Sequence, residues 1–441
     1  MNIIYFNTHD SGRYISPYGY KVPTENIEKF ARESILFRQA YSASPTCSPS
    51  RGALLSGMYA HNNGLIGLSH RGFKMNDYTK HLGSYLKENG YRTAIAGTEH
   101  IANHGLLEQH NMNYDILPYD DILGPASDDN DMENAKAVAD YILNYTEDSN
   151  FFISFGLWNT HRKYPEDITE GYEPDYIKVP SKLKDTNMNR EDFAHYCTSV
   201  KIADDCFKMV LDAVKEKGLY EDTIIIFTTD HGLPSPFMKC TLFDSGMGVS
   251  LALRVPHSPM NGKVVDSMFS QIDLFPTICE LLNLEIPEYI QGISQKSVVM
   301  NEKDKVREEV YAEINYHASY QPMRCVRTEE YKYIRVFNNY KKPMLANIDN
   351  SNPKQLLIDN EFDNYEIKDE YLFDIVFDPQ EKENLTGNKK YDKVLTEMRR
   401  KLEDFMEETN DFLLKDEIEV PKGVVVNDPS ADTSKDKRIF Y

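Results

Sequence analysis

Apolar runs and stretches of helical period alternate along the N-terminal part of the chain. Residues 2–8 (NIIYFNT) make one continuous apolar run, and the texture returns in ILFRQAYS, YRTAIAG, FFISFGLW and TIIIFTT. Runs of that kind suit strands buried on both faces. Between them lie TENIEKFARES with Thr24 as its cap, residues 80–89 closed by Gly90, MENAKAVADYILNY, and residues 191–217 closed by Gly218, all predicted helices. The alternation predicts an α/β fold whose large, mostly parallel sheet is flanked by helices and spans 1–305. From about Lys303 the texture changes. Short alternating strands in EEVYAEINYHASYQPMRCVRT, YKYIRVF and EYLFDIVFD predict a smaller α+β subdomain over 306–425, built on an antiparallel sheet. The amphipathic stretch KYDKVLTEMRRKLEDFMEETNDFLL supplies a helix to pack on it. Residues 426–441 read as an extended polar tail. An acidic, loop-rich stretch occupies 116–149, and the irregular segment 165–189 reads as a substrate-side lid or wall.

Polar clusters recur where the predicted strands end. HDSG places His9 and Asp10 after the first strand, TEH places Glu99 and His100, NTHRKYP places His161 and Arg162, and DHG places Asp230 and His231, with Lys239 a few residues on. In open parallel sheets ligands gather at the C-terminal strand ends. An imidazole beside a carboxylate can ligate a divalent metal, serve as acid and base, or simply end a strand as a polar turn. Core packing does not require such repetition, whereas a metal site of His9, Asp10, Asp230 and His231 beside an anion pocket does.

Ser44–Gly64 (SPTCSPSRGALLSGMYAHNNG) sets Cys47 where a short helix should begin, with Ser48 and Ser50 as caps and Pro49 in its first turn. Backbone N–H groups and the Arg51 guanidinium would converge there on an anion. Taken alone, Cys47 reads equally as a small buried residue closing a loop. The strand-end clusters tip it toward chemistry. The Gly- and Asn-rich loop that follows carries His61, His70 and Arg71.

The chain has 441 residues, 41% of them hydrophobic, and a formal charge of −21, which argues against a nucleic-acid partner. With that charge, an anionic substrate must be held by a few local cations. No apolar run is long enough to span a bilayer, so no membrane partner is expected. Six cysteines lie without metal-ligand spacing, as expected of reduced core thiols. NIIYFNT follows Met1 at once and reads as a strand, so the chain as given reads as cytoplasmic, and as periplasmic or secreted only if a signal was trimmed.

CSPSRGALLSG, the ordered strand-end clusters and YLFDIVFDPQEKENL together resemble the type I sulfatases of the alkaline-phosphatase superfamily over nearly the whole chain. YHASYQPMRCVRT and the surroundings of THR are most similar to the heparan N-sulfatase (sulfamidase) and bacterial carbohydrate sulfatase branch. The resemblance implies a sulfated sugar substrate, an α/β alkaline-phosphatase-like fold, and a maturase that oxidises Cys47 to formylglycine, whose hydrate is the nucleophile. It implies that Arg51 polarises the nucleophile, Lys239 binds sulfate, His161 protonates the leaving atom and His100 takes the diol proton. One divalent metal is implied, calcium by family habit. His9 and His231 stand where the family has oxygen ligands, which shifts the expectation toward manganese or zinc if both coordinate. Thr98 stands where the family has a sulfate-binding lysine, and Arg13, Arg71 or Arg162 are candidates to replace it. His70 and His317 complete the expected substrate contacts. A phosphonate or phosphate diester hydrolase with the same nucleophile, and a sugar-sulfate binding protein without turnover, remain as other readings, and homo-oligomer formation is left open.

Overall fold

A computed structural model describes residues 1–125, 130–415 and 420–441, so part of the acidic stretch 116–149 and four positions near the end of the second subdomain lie outside the described residues. Strands β1 (Asn2–Thr8), β2 (Ile35–Tyr41), β3 (Arg92–Gly97), β4 (Asp121–Leu123), β5 (Phe151–Gly156), β6 (Thr223–Thr229), β7 (Gly248–Val249), β8 (Leu251–Arg254) and β9 (Val264–Ser270) form one sheet. Its order is β4-β3-β5-β1-β6-β8-β2-β7, with β9 against β2. From β4 to β6 every pairing is parallel. The antiparallel pairings come where β8 and β7 join, so the sheet is mixed at that side.

The double-faced burial expected of apolar runs is explicit. Ile4, Phe6, Ile225 and Phe227 point to one face, among the helices Glu25–Arg32, Asp131–Asn144 and Asn187–Glu216. Ile3, Tyr5, Ile224 and Ile226 point to the other, toward Cys47–Ser56, Leu82–Glu88 and Leu274–Leu281. Side chains alternate across a strand, so a run apolar at every position fills both layers.

Strands β10 (Glu309–Tyr316), β11 (Tyr320–Thr328), β12 (Tyr331–Val336) and β13 (Glu370–Asp374) make a second, antiparallel sheet. The helix Asp392–Glu408 lays Leu395, Met398, Leu402 and Phe405 onto it, with Val326, Tyr333 and Leu372 beneath. One expectation is corrected here. The segment read as an extended tail is docked: β14 (Val425–Asn427) pairs with β15 (Arg438–Phe440), and Val425 and Val426 are buried. Val425 and Val426 seat the segment, Asn427 bridges to Ser319, and Arg71 donates to Val425, Asn427 and Ser434.

No helix among the described residues is long and apolar enough to cross a membrane.

Candidate active site

The parallel strands end at one edge, and the polar clusters meet there. His9 and Asp10 follow β1, Thr98 to His100 follow β3, His161 follows β5, and Asp230 and His231 follow β6. Asp10 and His100 both hold left-handed backbone conformations, at φ 46° and 63°. Strain of that kind in non-glycine residues is kept where surrounding structure over-determines it.

The helix Cys47–Ser56 starts at Cys47 itself, with Thr46 extended in the capping position. Ser48 and Ser50 are therefore inside the helix and cap nothing. Ser50 Oγ donates to the Asp230 carbonyl at 2.6 Å, and Ser48 Oγ to Ser69 Oγ at 3.3 Å, which ties the helix start to the end of β6 and to the His70 loop. Thr24 likewise does not cap through its side chain; its Oγ1 bonds Ser16.

Ligating atoms of His9, Asp10, Asp230 and Cys47 lie within 4.8 Å of one another, all buried. His9 Nδ1 is 3.1 Å from both Asp10 Oδ1 and Asp230 Oδ2, and its Nε2 has no hydrogen-bond partner. His231 Nε2 sits 3.4 Å from Cys47 Sγ and 3.3 Å from Asp10 Oδ1, while its Nδ1 is 3.0 Å from the Gly232 carbonyl. Nε2 is thus the ring nitrogen that faces both the sulfur and the Asp10 carboxylate. Arg51 donates through Nε to Asp230 Oδ2 at 3.1 Å and through Nη1 to the Thr98 carbonyl at 3.0 Å; Nη2 has no partner. Lys239 Nζ lies 3.0 Å from Asp10 Oδ2 and 3.1 Å from Asp349 Oδ2.

Burial favours neutral forms throughout this pocket. It pushes the Cys47 thiol well up, and it pushes His9, His100, His161 and His317 down, with His70 reaching about 3. For Asp10 and Asp230 burial acts upward but is outweighed. Lys239 foremost holds Asp10 low, and the basic side chains around Asp230, Arg51 among them, hold it at about 2. Two permanent cations, Arg51 and Lys239, thus face three carboxylates, Asp10, Asp230 and Asp349. That surplus of negative charge opposes an anionic substrate. A divalent cation among His9, Asp10 and Asp230 reverses the sign, and the unpartnered Nε2 and the N/O donor set fit one.

The structure places the remaining expected residues as follows. His161 Nε2 is 3.9 Å from Asp10 Oδ2, and its ring meets His9 at 4.9 Å and Trp158 at 4.4 Å. His100 stacks on His70 with the rings 5.3 Å apart and Nε2 to Nδ1 at 3.1 Å. His317 is buried with Nδ1 unpartnered, and the charges acting on it are Lys239, Asp349, Arg71 and His231. The three arginines proposed to replace the lysine at Thr98 are committed elsewhere. Arg13 donates to the Ala40 carbonyl and lies over Tyr41. Arg71 clasps Val425, Asn427 and Ser434 of the docked terminal segment. Arg162 is held bidentately by Asp192 at 2.7 and 2.6 Å. Each guanidinium thus has protein partners of its own, although Arg71 still acts on His70 and His317, and Arg162 on Asp349. Asp349, which enters from the second subdomain, had no signal in a stretch without periodicity or motif.

The fold and this cluster define an alkaline-phosphatase-like α/β hydrolase, with Arg51 and Lys239 set among a buried carboxylate–imidazole cluster. More particularly, the chain belongs to the sulfatase family. The family model described as Sulfatase matches residues 2–284, and one described as N-sulphoglucosamine sulphohydrolase, C-terminal, matches 230–366. An ulvan-active sulfatase of Formosa agariphila is 25% identical, covering 97% of this chain and 77% of that protein. N-sulphoglucosamine sulphohydrolase of Homo sapiens is also 25% identical, over 88% of this chain and 86% of its own length. A structure solved in complex with its substrate D-glucosamine-2-N,6-O-disulfate superimposes with a TM-score of 0.71 at 17% identity, covering 93% of this chain and 98% of that one.

Proposed function

We propose that this sulfatase removes N- or O-linked sulfate from a glucosamine-containing, glycosaminoglycan-type sugar, with a formylglycine hydrate at position 47 as nucleophile. The observation that carries the reading is the position of the Cys47 side chain. It opens a helix and lies within 4.8 Å of the ligating atoms of His9, Asp10 and Asp230. The names of the human relative and of the substrate complex support the sugar.

A maturase supplied with a two-electron oxidant would convert the Cys47 CH2–SH to an aldehyde, water providing the oxygen and the sulfur leaving as sulfide, and the aldehyde then hydrates to a geminal diol. One diol oxygen attacks sulfur, and the bond from sulfur to the sugar oxygen or nitrogen breaks as His161 protonates the leaving atom. Position 47 then carries the sulfate. The second hydroxyl gives up its proton, the C–O bond to sulfate breaks with its electron pair leaving on sulfate, and the aldehyde is restored. His100 takes that proton in the family pattern. His231, whose Nε2 already faces the side chain of residue 47, is within reach of the same proton. Arg51, through its unpartnered Nη2, and Lys239 neutralise the sulfate oxygens. A divalent cation held by His9, Asp10 and Asp230 would supply Lewis-acid polarisation and lower the pKa of the attacking hydroxyl.

The test is the intact mass of the Cys47 peptide from protein made together with a maturase, read alongside sulfate and phosphate release from matched aryl esters. The expected result is an aldehyde at 47 and dominant sulfate release. Unmodified thiol throughout, or faster phosphodiester turnover, overturns the reading.

A further inference from the structure

Asp349 reaches the pocket from outside the large sheet. It lies between the short turn Leu345–Asn347 and the helix Asn352–Ile358, in the connection from β12 to β13. Its flanks are fixed. Asn347 Oδ1 accepts the Ser319 N–H at 2.7 Å, and Asn347 Nδ2 donates to Gln321 Oε1 at 2.9 Å. On the other side Lys354 Nζ donates to the Ile348 carbonyl and to Asn350 Oδ1, each at 3.0 Å. The carboxylate is thereby presented by a tied backbone and not by a loose loop.

Its setting is unusual for a structural ion pair. Oδ2 lies 3.1 Å from Lys239 Nζ, yet that buried oxygen accepts no well-directed hydrogen bond, and the side chain as a whole is 23% exposed. Lys239 already has Asp10 at 3.0 Å to balance it. Folding did not need a second carboxylate there, and a carboxylate beside a sulfate-binding ammonium weakens its grip on any sulfate. A carboxylate that opposes bare anion binding and still leaves 23% of its side chain exposed beside Lys239 is arranged for selection.

We propose that Asp349 is a specificity-determining residue: its carboxylate accepts a hydrogen bond from a hydroxyl or ammonium on the sugar carbon next to the sulfated one, and rejects substrates that carry a second anion there. This rests on the reading that Lys239 holds the scissile sulfate. A sulfate oxygen on Nζ brings the adjoining ring substituent alongside the partly exposed Asp349 carboxylate, which lies 3.1 Å from Nζ. A donor there completes the carboxylate. A second sulfate would meet a like charge at contact distance in a pocket that excludes most water, where such mismatches discriminate strongly.

The experiment first finds which of glucosamine 2-N- and 3-O-sulfate the mature wild-type enzyme cleaves faster, with the 6-O-sulfate, whose neighbouring C5 carries no hydroxyl or amine, run beside them; cleavage of the 6-O-sulfate alone overturns the proposal. It then compares kcat/KM for that monosulfate with the disulfate bearing a second sulfate on the adjoining carbon. The wild type is expected to favour the monosulfate about 10- to 100-fold. Asp349→Asn should collapse that ratio to within about threefold, and Asp349→Glu, which keeps the charge, should largely preserve it. The ratio is diagnostic because freeing Lys239 raises both absolute rates. An unchanged preference in an active Asp349→Asn enzyme, or a wild type that favours the disulfate, overturns this proposal alone. A wild type that releases sulfate from none of the sugars overturns the proposed function, and the selectivity with it.

Discussion

Replacing Arg51 with lysine keeps one positive charge and removes a planar fork. In the structure that fork spans two acceptors at once, Asp230 Oδ2 at 3.1 Å and the Thr98 carbonyl at 3.0 Å, from a side chain that is 2% exposed. A lysine ammonium can meet Asp230 but not both. The charge-assisted contact to the carboxylate is worth about 1.5–3 kcal/mol and survives in part; a buried carbonyl left without a donor costs about 1–3 kcal/mol. The free Nη2, which would meet the sulfate, is lost as well. The first two losses weigh on folding; the lost Nη2 contact to the developing charge, about 1.5–3 kcal/mol, is what kcat/KM reads, about 10- to 10²-fold at about 1.4 kcal/mol per decade. The assay is sulfate release by Arg51→Lys from a monosulfated glucosamine, with a denaturant melt run beside it to separate lost catalysis from lost folding. A kcat/KM within about threefold of wild type in a folded variant would refute the argument.

Gly156 closes β5 with its Cα facing β3, and a methyl there would sit 1.8 Å from the Thr98 carbonyl oxygen and 3.4 Å from Arg51 Nη1. Gly156→Ala should therefore force the strand ends apart and lower the denaturation midpoint by the equivalent of about 3 kcal/mol or more; an unchanged midpoint would contradict the packing described. Glu313 gives a pH dependence. Burial acts to raise its pKa, but His61 and Arg324 outweigh that and hold it at about 2, below its usual 4.5. Its stabilisation is complete above the unfolded value and is lost as pH falls from about 4.5 toward about 2, a change of about 3 kcal/mol. Urea midpoints at about pH 6 and about pH 3 should show wild type losing about 2 kcal/mol of this increment, while Glu313→Gln, already weaker near neutrality, loses less; parallel losses in both proteins would count against it.

What the sequence disclosed and what it hid follow from the range of the forces involved. β1 and β6 were legible because burial on both faces demands apolar residues at every position, and the Cys47 helix because its start carries Pro, Arg and small residues in a fixed order. β8 and β7, by contrast, are two to four residues long and take their direction from neighbours far along the chain. Side-chain partners were the least legible. Nothing local to Arg162 names Asp192, thirty positions on, and nothing local to Arg71 names Asn427. The strand-end histidines and aspartates were recoverable because the parallel topology itself collects them; Asp349 was not, because its place depends on how two sheets abut.

The burial of Cys47 also imposes an order of events in time. With 1% of its surface open and later parts of the chain, the Lys239 and Asp349 segments, closing over the same pocket, the folded protein offers its thiol to no other enzyme. If an aldehyde is to be installed at position 47, the installing enzyme must work on a chain whose second sheet has not yet docked. Production conditions that speed folding relative to maturation would then trap inactive thiol in an otherwise native molecule, and no later treatment of the folded protein by that enzyme would recover it.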